Sequence, residues 1–283
     1  MQLPQGQVAL APSTTLTTSP SGGWETVTPP VLSGDQDEES WDLALGRWLP
    51  ATPGELSPSG TQYAYVDQAT GSVHLVTPAS DSDVVLSTGV SYQVVGWVNE
   101  EIYLTSASTA GAQPQGLYRL SAAGGGVTTA LPPSTAETWY LSSQGAIWGT
   151  GVNPQDQNPP SSGSGDEVLR YDLASGTVTS WSYAPGLTVN LLGVTAAGQP
   201  VELVEGPQAN TLEVATSPTT ATRLLAGAGL DRLQPFEVSS TFTDSHGTWL
   251  TTDSGLYLLT PSLTLDLEQT GNFANAEVVG PCG

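Results

Sequence analysis

The sequence contains no lysine and few charged residues of any kind. Its 283 residues include five Arg, 27 Asp or Glu and two His, giving a net charge of −22. Charged residues make up 11% of the chain, against about 25% in an ordinary soluble domain. Nucleic acid and anionic membrane surfaces are therefore excluded as partners, because so few cations cannot attract a polyanion.

Cysteine and long apolar runs are also scarce. The one Cys, Cys282, cannot form an internal disulfide, and we interpret it as a tail thiol, with a link to another molecule as the alternative. No stretch approaches the roughly 18 consecutive apolar residues of a membrane span, and the first residues lack a charged start before an apolar run. We therefore expect no direct membrane insertion, signal peptide or anchor in this chain.

The sequence is instead rich in a repeated segment, in which alternating apolar residues are followed by a polar turn. Five copies are anchored at spacings of 44, 51, 44 and 44 residues on Val73, Leu117, Val168, Leu212 and Leu256. The longer interval contains the Pro-, Gln-, Ser- and Gly-rich loop 153–165, which we interpret as an insertion. A sixth copy begins at Glu39, at a shorter spacing.

Each anchor has further strand signals around it. Each anchor is preceded by a turn and an apolar or aromatic strand, and most are followed by a short strand. The preceding strands are marked by Trp24, Tyr63, Ile102, Ile147, Val201 and Trp249. Four strands in about 44 residues are typical of the blade of a β-propeller. The sequence therefore predicts an all-β fold with a single propeller of six four-stranded blades, with seven blades or paired β-sandwiches as the alternatives.

The repeat divides the chain into three parts. Residues 19–272 are predicted to form the blades, residues 1–18 an N-terminal segment that the first blade can include, and residues 273–283 a tail. The tail sequence Ala276-Glu-Val-Val-Gly resembles Gln93-Val-Val-Gly of a predicted inner strand. We expect the tail to close the ring by joining a blade that the N-terminal segment builds from Trp24 to Pro50.

Three stretches resemble known bacterial propeller repeats. The segment 244–261, with its Asp, Gly, Trp, Thr and Gly-Leu-Tyr pattern, resembles the blades of periplasmic sensor propellers of two-component regulators. Ser57-Pro-Ser-Gly before Tyr63 resembles the Ser-Pro-Asp-Gly turn of TolB-type propellers, and 167–181 is similar to both. The likeness spans most of residues 19–272 and implies a propeller superfamily, but its motifs are structural and imply no catalytic residue.

Two enzyme families resemble parts of the same chain. Asp244, Thr248 and Trp249 are similar to the sialidase Asp box, although His246 stands where that box has Gly. The box is a turn motif, and five scattered Arg do not form the cluster that would bind a sialic acid carboxylate. Streptogramin lyases resemble the blade around Arg170, but their chemistry needs a histidine beside a metal-binding carboxylate, and no motif here localises one.

The chain has too few histidines for most histidine-dependent sites. The two histidines, His74 and His246, fall in different predicted blades, so a catalytic triad or a histidine-rich metal site is not expected. We interpret both as structural or surface residues.

Five residues are candidates for binding. Trp97 and Trp139, near the ends of predicted inner strands, can stack on a sugar, and core packing is the alternative for both. Asp35, Asp37 and Glu39 alternate in an acidic run that can present oxygens to Ca²⁺, and a solvated charged face is the alternative. No other cofactor is expected.

The sequence as a whole predicts a non-catalytic binding or interaction propeller. The lack of Lys and the Ser, Thr, Gly, Ala and Pro bias are typical of an extracytoplasmic bacterial domain, such as the ectodomain of a surface protein, lipoprotein or sensor. The ligand, protein or carbohydrate, is not identified. The alternatives are a carbohydrate-active or streptogramin-lyase-like enzyme with carboxylates at the central channel, and a structural cell-surface or filament subunit.

Overall fold

The computed structural model describes most of the chain from residue 51 onward and short strands before it. The described residues are 7–11, 14–18, 24–27, 40–42, 47–49, 51, 53–67, 70–88, 92–106, 116–133, 137–143, 145–156, 165–206, 210–224, 238–252, 254–271, 273 and 277–278. Within these ranges the helical segments are two 3₁₀ turns, Pro53–Glu55 and Pro78–Ser80. No helix among them is long and apolar enough to cross a membrane.

The described residues of the first third of the chain form eight strands. They are β1 Gln7–Ala11, β2 Thr14–Thr18, β3 Trp24–Val27, β4 Ser40–Asp42, β5 Arg47–Leu49, β6 Tyr63–Asp67, β7 Ser72–Thr77 and β8 Ser82–Ser87. β4 and β5 pair with each other, and β6, β7 and β8 form a three-stranded antiparallel sheet. An isolated bridge joins Leu56 to Tyr63 beside that sheet.

From residue 92 onward the described residues form four consecutive four-stranded antiparallel sheets and a final short strand. The strands are β9 Tyr92–Val98, β10 Glu101–Ser106, β11 Leu117–Ser121, β12 Thr128–Leu131, β13 Glu137–Ser143, β14 Ala146–Gly151, β15 Glu167–Asp172, β16 Thr177–Tyr183, β17 Thr188–Val194, β18 Pro200–Glu205, β19 Asn210–Ser217, β20 Thr220–Arg223, β21 Val238–Thr243, β22 Thr248–Thr252, β23 Gly255–Leu259, β24 Leu265–Thr270 and β25 Glu277–Val278. Each sheet is a simple meander, so strands that are neighbours in sequence are neighbours in the sheet.

The hydrophobic core is divided into clusters that lie between successive sheets. One cluster joins β6 and β7 to β9–β11, the next joins β9–β11 to β13–β15, a third joins β14 and β15 to β17 and β18, and a fourth joins β18 and β19 to β22 and β23. The first strands of successive sheets also contact one another, β9 with β13 and β17 with β21. Sheets that bury both faces against their neighbours in sequence are the blades of a β-propeller, and the fold is a propeller.

Burial along the strands explains the apolar runs of the sequence. In the blade of β21–β24 the second and third strands are buried on both faces, since every residue of β22 and β23 is buried. The outermost strands are open, as in β16, where Thr177 through Ser180 are all exposed. A strand buried on both faces needs consecutive apolar residues rather than alternation, which is why Leu256-Tyr-Leu-Leu serves as a repeat anchor.

Bulges recur at matching places in the blades. The pairing of the first strand with the second shifts register within β9, β13, β17 and β21. The pairing of the third strand with the outermost strand shifts register in the same way, with the extra residue in β8, β12, β16 and β24. Bulges increase strand twist, and a blade whose inner and outer edges both twist fits beside an equally twisted neighbour.

The two ends of the described chain meet in one further sheet. β25 pairs with β1, with Val278 opposite Leu10 and Glu277 opposite Ala11, and the sheet continues through β2 to β3. The expectation that this blade is built from Trp24 to Pro50 is wrong: β3 is its outermost strand, and β4 and β5 form a separate hairpin. The error arose because the strands within residues 1–18 lack the turn and aromatic signals of the other blades.

The blades otherwise follow the predicted repeat. The anchors Leu117, Val168, Leu212 and Leu256 each lie on the third strand of a four-stranded sheet, Val73 lies on the middle strand of the three-stranded sheet, and all five are fully buried. The described residues form five four-stranded sheets, one three-stranded sheet and one two-stranded sheet. The exact number of blades stays a prediction.

Candidate functional site

The two tryptophans considered for sugar binding lie in the cores between blades. Trp139 is 1% exposed and packs with its ring edge against Tyr171, at 6.5 Å between ring centroids. Trp97 is 7% exposed, and its Nε1 donates a hydrogen bond of 2.9 Å to the carbonyl of Asn99. Since both rings are covered by neighbouring blades, their contacts in this structure are those of core residues.

The other predicted site residues lie outside the described residues. These are the calcium candidates Asp35, Asp37 and Glu39, together with the tail residue Cys282. Calcium binding at the acidic run stays a prediction.

His74, on the middle strand of the three-stranded sheet, forms part of a polar cluster. Its Nδ1 is 2.8 Å from Oδ1 of Asp83, and its ring stacks on that of Tyr65 at 4.7 Å between centroids. The Tyr65 hydroxyl donates to Oδ2 of the same Asp83 at 3.2 Å. Partial burial and the adjacent carboxylate raise the pKa of Tyr65 to about 12, so the hydroxyl stays protonated and the cluster ties β6, β7 and β8 together.

His246 lies in the turn that resembles the Asp box. Asp244 Oδ1 accepts hydrogen bonds from the backbone N–H groups of His246, at 2.8 Å, and Gly247, at 3.3 Å. Asp244 Oδ2 accepts a hydrogen bond of 3.1 Å from Nε1 of the fully buried Trp249. One carboxylate thus satisfies both the turn and the indole, which is a structural role for the motif.

A different group of carboxylates lies at the base of the insertion loop, between β14 and β15. Asp166 precedes β15 and is fully buried. Its backbone N–H donates to the carbonyl of Gly151, and its own carbonyl accepts a hydrogen bond from Ala184, so the backbone is fixed on both sides. Oδ1 of Asp166 accepts a hydrogen bond of 2.7 Å from the backbone N–H of Asn153.

Among the described residues, the carboxyl group of Asp166 also has an unpaired oxygen and lies near a second acid. Oδ2 is buried and receives no hydrogen bond from the described residues. The carboxyl group of Asp156 lies within hydrogen-bonding reach of the Asp166 carboxyl. Burial, and then the adjacent Asp156 carboxylate, raise the pKa of Asp166, while the hydrogen bond from Asn153 opposes that rise.

Asp156 itself links the loop to the next blade. Its Oδ2 accepts a hydrogen bond of 2.8 Å from the backbone N–H of Gly186, in the connection between β16 and β17. Gly186 has a positive φ of 70° and closes that turn, a conformation that favours glycine. The Tyr183 hydroxyl is within hydrogen-bonding reach of Asp156, and desolvation together with the carboxylates of Asp156 and Asp166 raises the pKa of Tyr183.

Glu167 completes the acidic group from the neighbouring position in β15. Its side chain is buried, and Oε2 accepts hydrogen bonds from Asn153 Nδ2 at 3.1 Å and Ser180 Oγ at 2.8 Å. We call Asp156, Asp166 and Glu167, with Asn153, the loop-base cluster. It concentrates negative charge where the insertion loop leaves the blade.

The loop-base cluster can hold a cation or share a proton, because two facing carboxylates repel each other unless a positive charge lies between them. Within the described residues no three His, Cys, Asp or Glu side chains are arranged to hold a metal ion together. Any cation here would therefore be held by fewer side-chain carboxylates, with other oxygens completing its shell.

Sequence reasoning missed this cluster. Asp156 and Asp166 are ten positions apart, and the intervening loop hides their proximity. The available signal was the pair Asp166-Glu167 at the start of an anchor strand, where the other anchors have fewer acids in that position. A loop inserted between two paired strands must bring its two ends together, so acids at both ends are neighbours.

One more carboxyl group is buried away from this cluster. Glu202, on β18, is 1% exposed and accepts a hydrogen bond of 2.7 Å from Ser182 Oγ on the outermost strand of the preceding blade. Burial raises the pKa of Glu202 to about 7, with Glu213 adding to the rise and the Ser182 hydrogen bond opposing it. Glu213 lies directly opposite on β19.

Comparison with solved structures agrees with the propeller fold. Oligogalacturonate lyase in complex with manganese superimposes with a TM-score of 0.55 at 11% identity, covering 91% of this chain and 73% of that one. A putative TolB from Agrobacterium tumefaciens gives 0.52 at 11% identity, covering 86% and 91%. Acylaminoacyl peptidase from Pyrococcus horikoshii gives 0.55 at 9% identity, covering 90% and 41%.

These similarities concern the fold alone. The chain spans 41% of the acylaminoacyl peptidase and 66% of a TolB from Acinetobacter baumannii, with which its TM-score is 0.47. No protein-family model and no curated protein matches the sequence.

Proposed function

We propose that this chain is a non-catalytic, extracytoplasmic binding propeller. The observation that carries the proposal is the use of its two histidines. His74 is held by Asp83 within one blade, and His246 Nδ1 lies 3.4 Å from Oδ1 of Asp244 in a turn of another, so each imidazole lies beside a carboxylate of its own blade. A propeller enzyme that relies on histidine would need at least one of them beside its substrate.

The outer strands provide surface for a partner. Val84 and Val85, adjacent on the outermost strand β8, are each about half exposed. Neighbouring residues of a strand point to opposite faces of the sheet, so this strand is apolar on both sides. Two exposed β-branched side chains on one short strand supply contact area that folding of the blade does not use.

Composition supports the location. The chain has no lysine, five Arg and 27 acidic residues, and its charge is carried by carboxylates that lose it in acid. Such a chain gains little positive charge when the medium is acidified, which suits a space whose pH the cell does not control.

Two experiments test the proposal. The first incubates the purified chain with oligogalacturonate, with and without Mn²⁺, and follows ultraviolet absorbance for the unsaturated product of a lyase. We expect no turnover, and turnover that disappears in His74→Ala would overturn the proposal.

The second experiment uses proximity labelling in the native cell with a labelling enzyme fused to the chain. We expect labelled partners outside the cytoplasm that are lost from a Val84→Asp, Val85→Asp variant whose melting temperature is unchanged. Labelling of cytoplasmic proteins alone would contradict the proposed location.

A further inference from the structure

The loop-base cluster contains a carboxylate oxygen that is buried without a hydrogen-bond donor. Asp166 is fully buried, and its Oδ2 receives no hydrogen bond from the described residues. A buried carboxylate oxygen without a partner costs free energy, and buried charges in proteins are normally paired or bound to metal. The oxygen therefore marks a position where a positively charged ligand would be stabilising.

The surroundings of this oxygen are acidic. The carboxyl group of Asp156 lies within hydrogen-bonding reach of the Asp166 carboxyl group, and Glu167 is the next residue in the chain. The charged neighbours that act on Tyr183, at the same place, are the carboxylates of Asp156, Asp166 and Glu167. The local field therefore attracts cations.

Backbone donors favour a metal cation over a shared proton as the missing charge. Asn153 donates its backbone N–H to Asp166 Oδ1, and Gly186 donates its backbone N–H to Asp156 Oδ2. Each of these bonds stabilises the ionised form of the carboxyl group that accepts it. A cation between the two carboxyl groups keeps both of these bonds on ionised acceptors, whereas a shared proton would weaken them.

We propose that Asp156 and Asp166 bind a divalent cation, Ca²⁺, at the base of the insertion loop. Both are hard oxygen ligands, which suit Ca²⁺, and its variable coordination number allows water to complete the shell around two carboxylates. A site with so few protein ligands binds weakly, with a Kd of about 10⁻⁴–10⁻³ M, as in extracellular calcium modules. Because Asp156 also holds Gly186, the ion would fasten the loop base to the next blade.

The decisive variant is Asp166→Asn. Its side-chain oxygen can still accept from Asn153, while its Nδ2 can donate to Asp156, so the uncharged amide replaces the ion. We expect the wild-type chain to melt several degrees higher in millimolar Ca²⁺ than in chelator. The variant should melt at the higher temperature in both buffers. Glu205→Gln, which removes an exposed carboxylate of β18, should respond to Ca²⁺ as the wild-type chain does.

A second readout detects the ion itself. Tb³⁺ replaces Ca²⁺ at oxygen sites and emits when a nearby tyrosine is excited, and Tyr183 is within hydrogen-bonding reach of Asp156. We expect sensitised emission from the wild-type chain, displacement by Ca²⁺, and its loss in Asp166→Asn.

Three results would overturn the site. One is a melting temperature that Ca²⁺ does not change. Another is a Ca²⁺ response that Asp166→Asn retains, which would place the ion elsewhere. The third is a stabilisation of the wild-type chain by acid in chelator that Asp166→Asn lacks, which would show that the two carboxyls share a proton.

Discussion

Ser182 donates a 2.7 Å hydrogen bond to Oε1 of Glu202, and this bond crosses from the outermost strand of one blade to the second strand of the next. It is the main polar contact of a carboxyl group that is almost wholly buried. A carboxylate in that position is poorly solvated when ionised, so the contact between the two blades depends on pH.

Glu202→Gln should make the stability of the protein less dependent on pH. Burial raises the pKa of Glu202 to about 7, whereas the group titrates near 4.3 when unfolded. The wild-type chain therefore gains stability as pH falls from above 7 toward 4.5, on the order of 3 kcal/mol, and loses it as pH rises again. We expect the variant to match the wild-type chain at pH 4.5 and to exceed it at pH 8 in urea titrations.

Other carboxyl groups with a raised pKa also make the folded protein more stable as pH falls. Burial also raises the pKa of Glu213, Glu268 and Asp166, while hydrogen bonds from Ser175 lower the pKa of Asp172. Glu205→Gln, which replaces an exposed carboxyl group of the same strand, is the matched control. A Glu202→Gln variant with the wild-type slope between pH 4.5 and pH 8 would show that Glu202 is solvated.

Trp139 and Trp148 offer a comparison between two buried indoles. Both are almost fully buried, but Trp148 Nε1 donates to the carbonyl of Ser143 at 3.2 Å, whereas Trp139 Nε1 has no acceptor among the described residues. Replacing either with Phe leaves a cavity, but only Trp148→Phe also breaks a hydrogen bond. We expect Trp148→Phe to cost about 1 kcal/mol more in the free energy of unfolding. Equal losses would mean that Trp139 has a partner.

The stability of the protein should depend on how many hydrogen-bond acceptors the side chain at position 244 provides. Asp244→Ala removes the acceptor for two backbone N–H groups and for Trp249 Nε1, so we expect a loss of about 2–4 kcal/mol. Asp244→Asn keeps an oxygen for the turn and should lose less. Thermal melting of the two variants decides the order, and an equal loss would assign the effect to charge.

Removing the closing strand should destabilise the ring. Truncation after Gly271 deletes β25, the partner of β1, and the hydrogen bond of 2.9 Å from Phe273 to Thr252. We expect the melting temperature to fall by about 5–10 °C. Truncation after Val278, which keeps β25 and removes Cys282, should not change it. Equal melting temperatures for the two truncations would show that the closure contributes little.

The periodic part of the fold was predictable because each blade repeats the same burial. Leu117 and Leu256 occupy equivalent strands of different blades, and both are fully buried. The residues beside them in sequence alternate between apolar and polar where one face of the strand is buried, and are consecutively apolar where both faces are buried. The terminal sheet was not predictable in this way, since pairing of β25 with β1 joins the two ends of the chain. Neither strand carries a local signal for a partner more than 260 residues away.

The sequence led to the candidate site less well than to the fold. Trp97 and Trp139 stood out because aromatic rings are conspicuous, but in a propeller such rings also fill the space between blades. Asp156 and Asp166 form a candidate site because Oδ2 of Asp166 is buried and because each carboxyl group accepts a hydrogen bond from a backbone N–H group. Burial and direction are set by tertiary structure, which residue types and spacing do not encode.

The bulges of the outermost strands limit edge-to-edge pairing between copies of this chain. The edge of a sheet offers unpaired backbone groups to any passing strand, and many proteins prevent such pairing with lysines along the edge. This chain has no lysine, but β8, β12, β16 and β24 each carry an extra residue that interrupts their ladders. The irregular edges thus discourage aggregation, so a substitution that removed a bulge would endanger solubility before it affected the core.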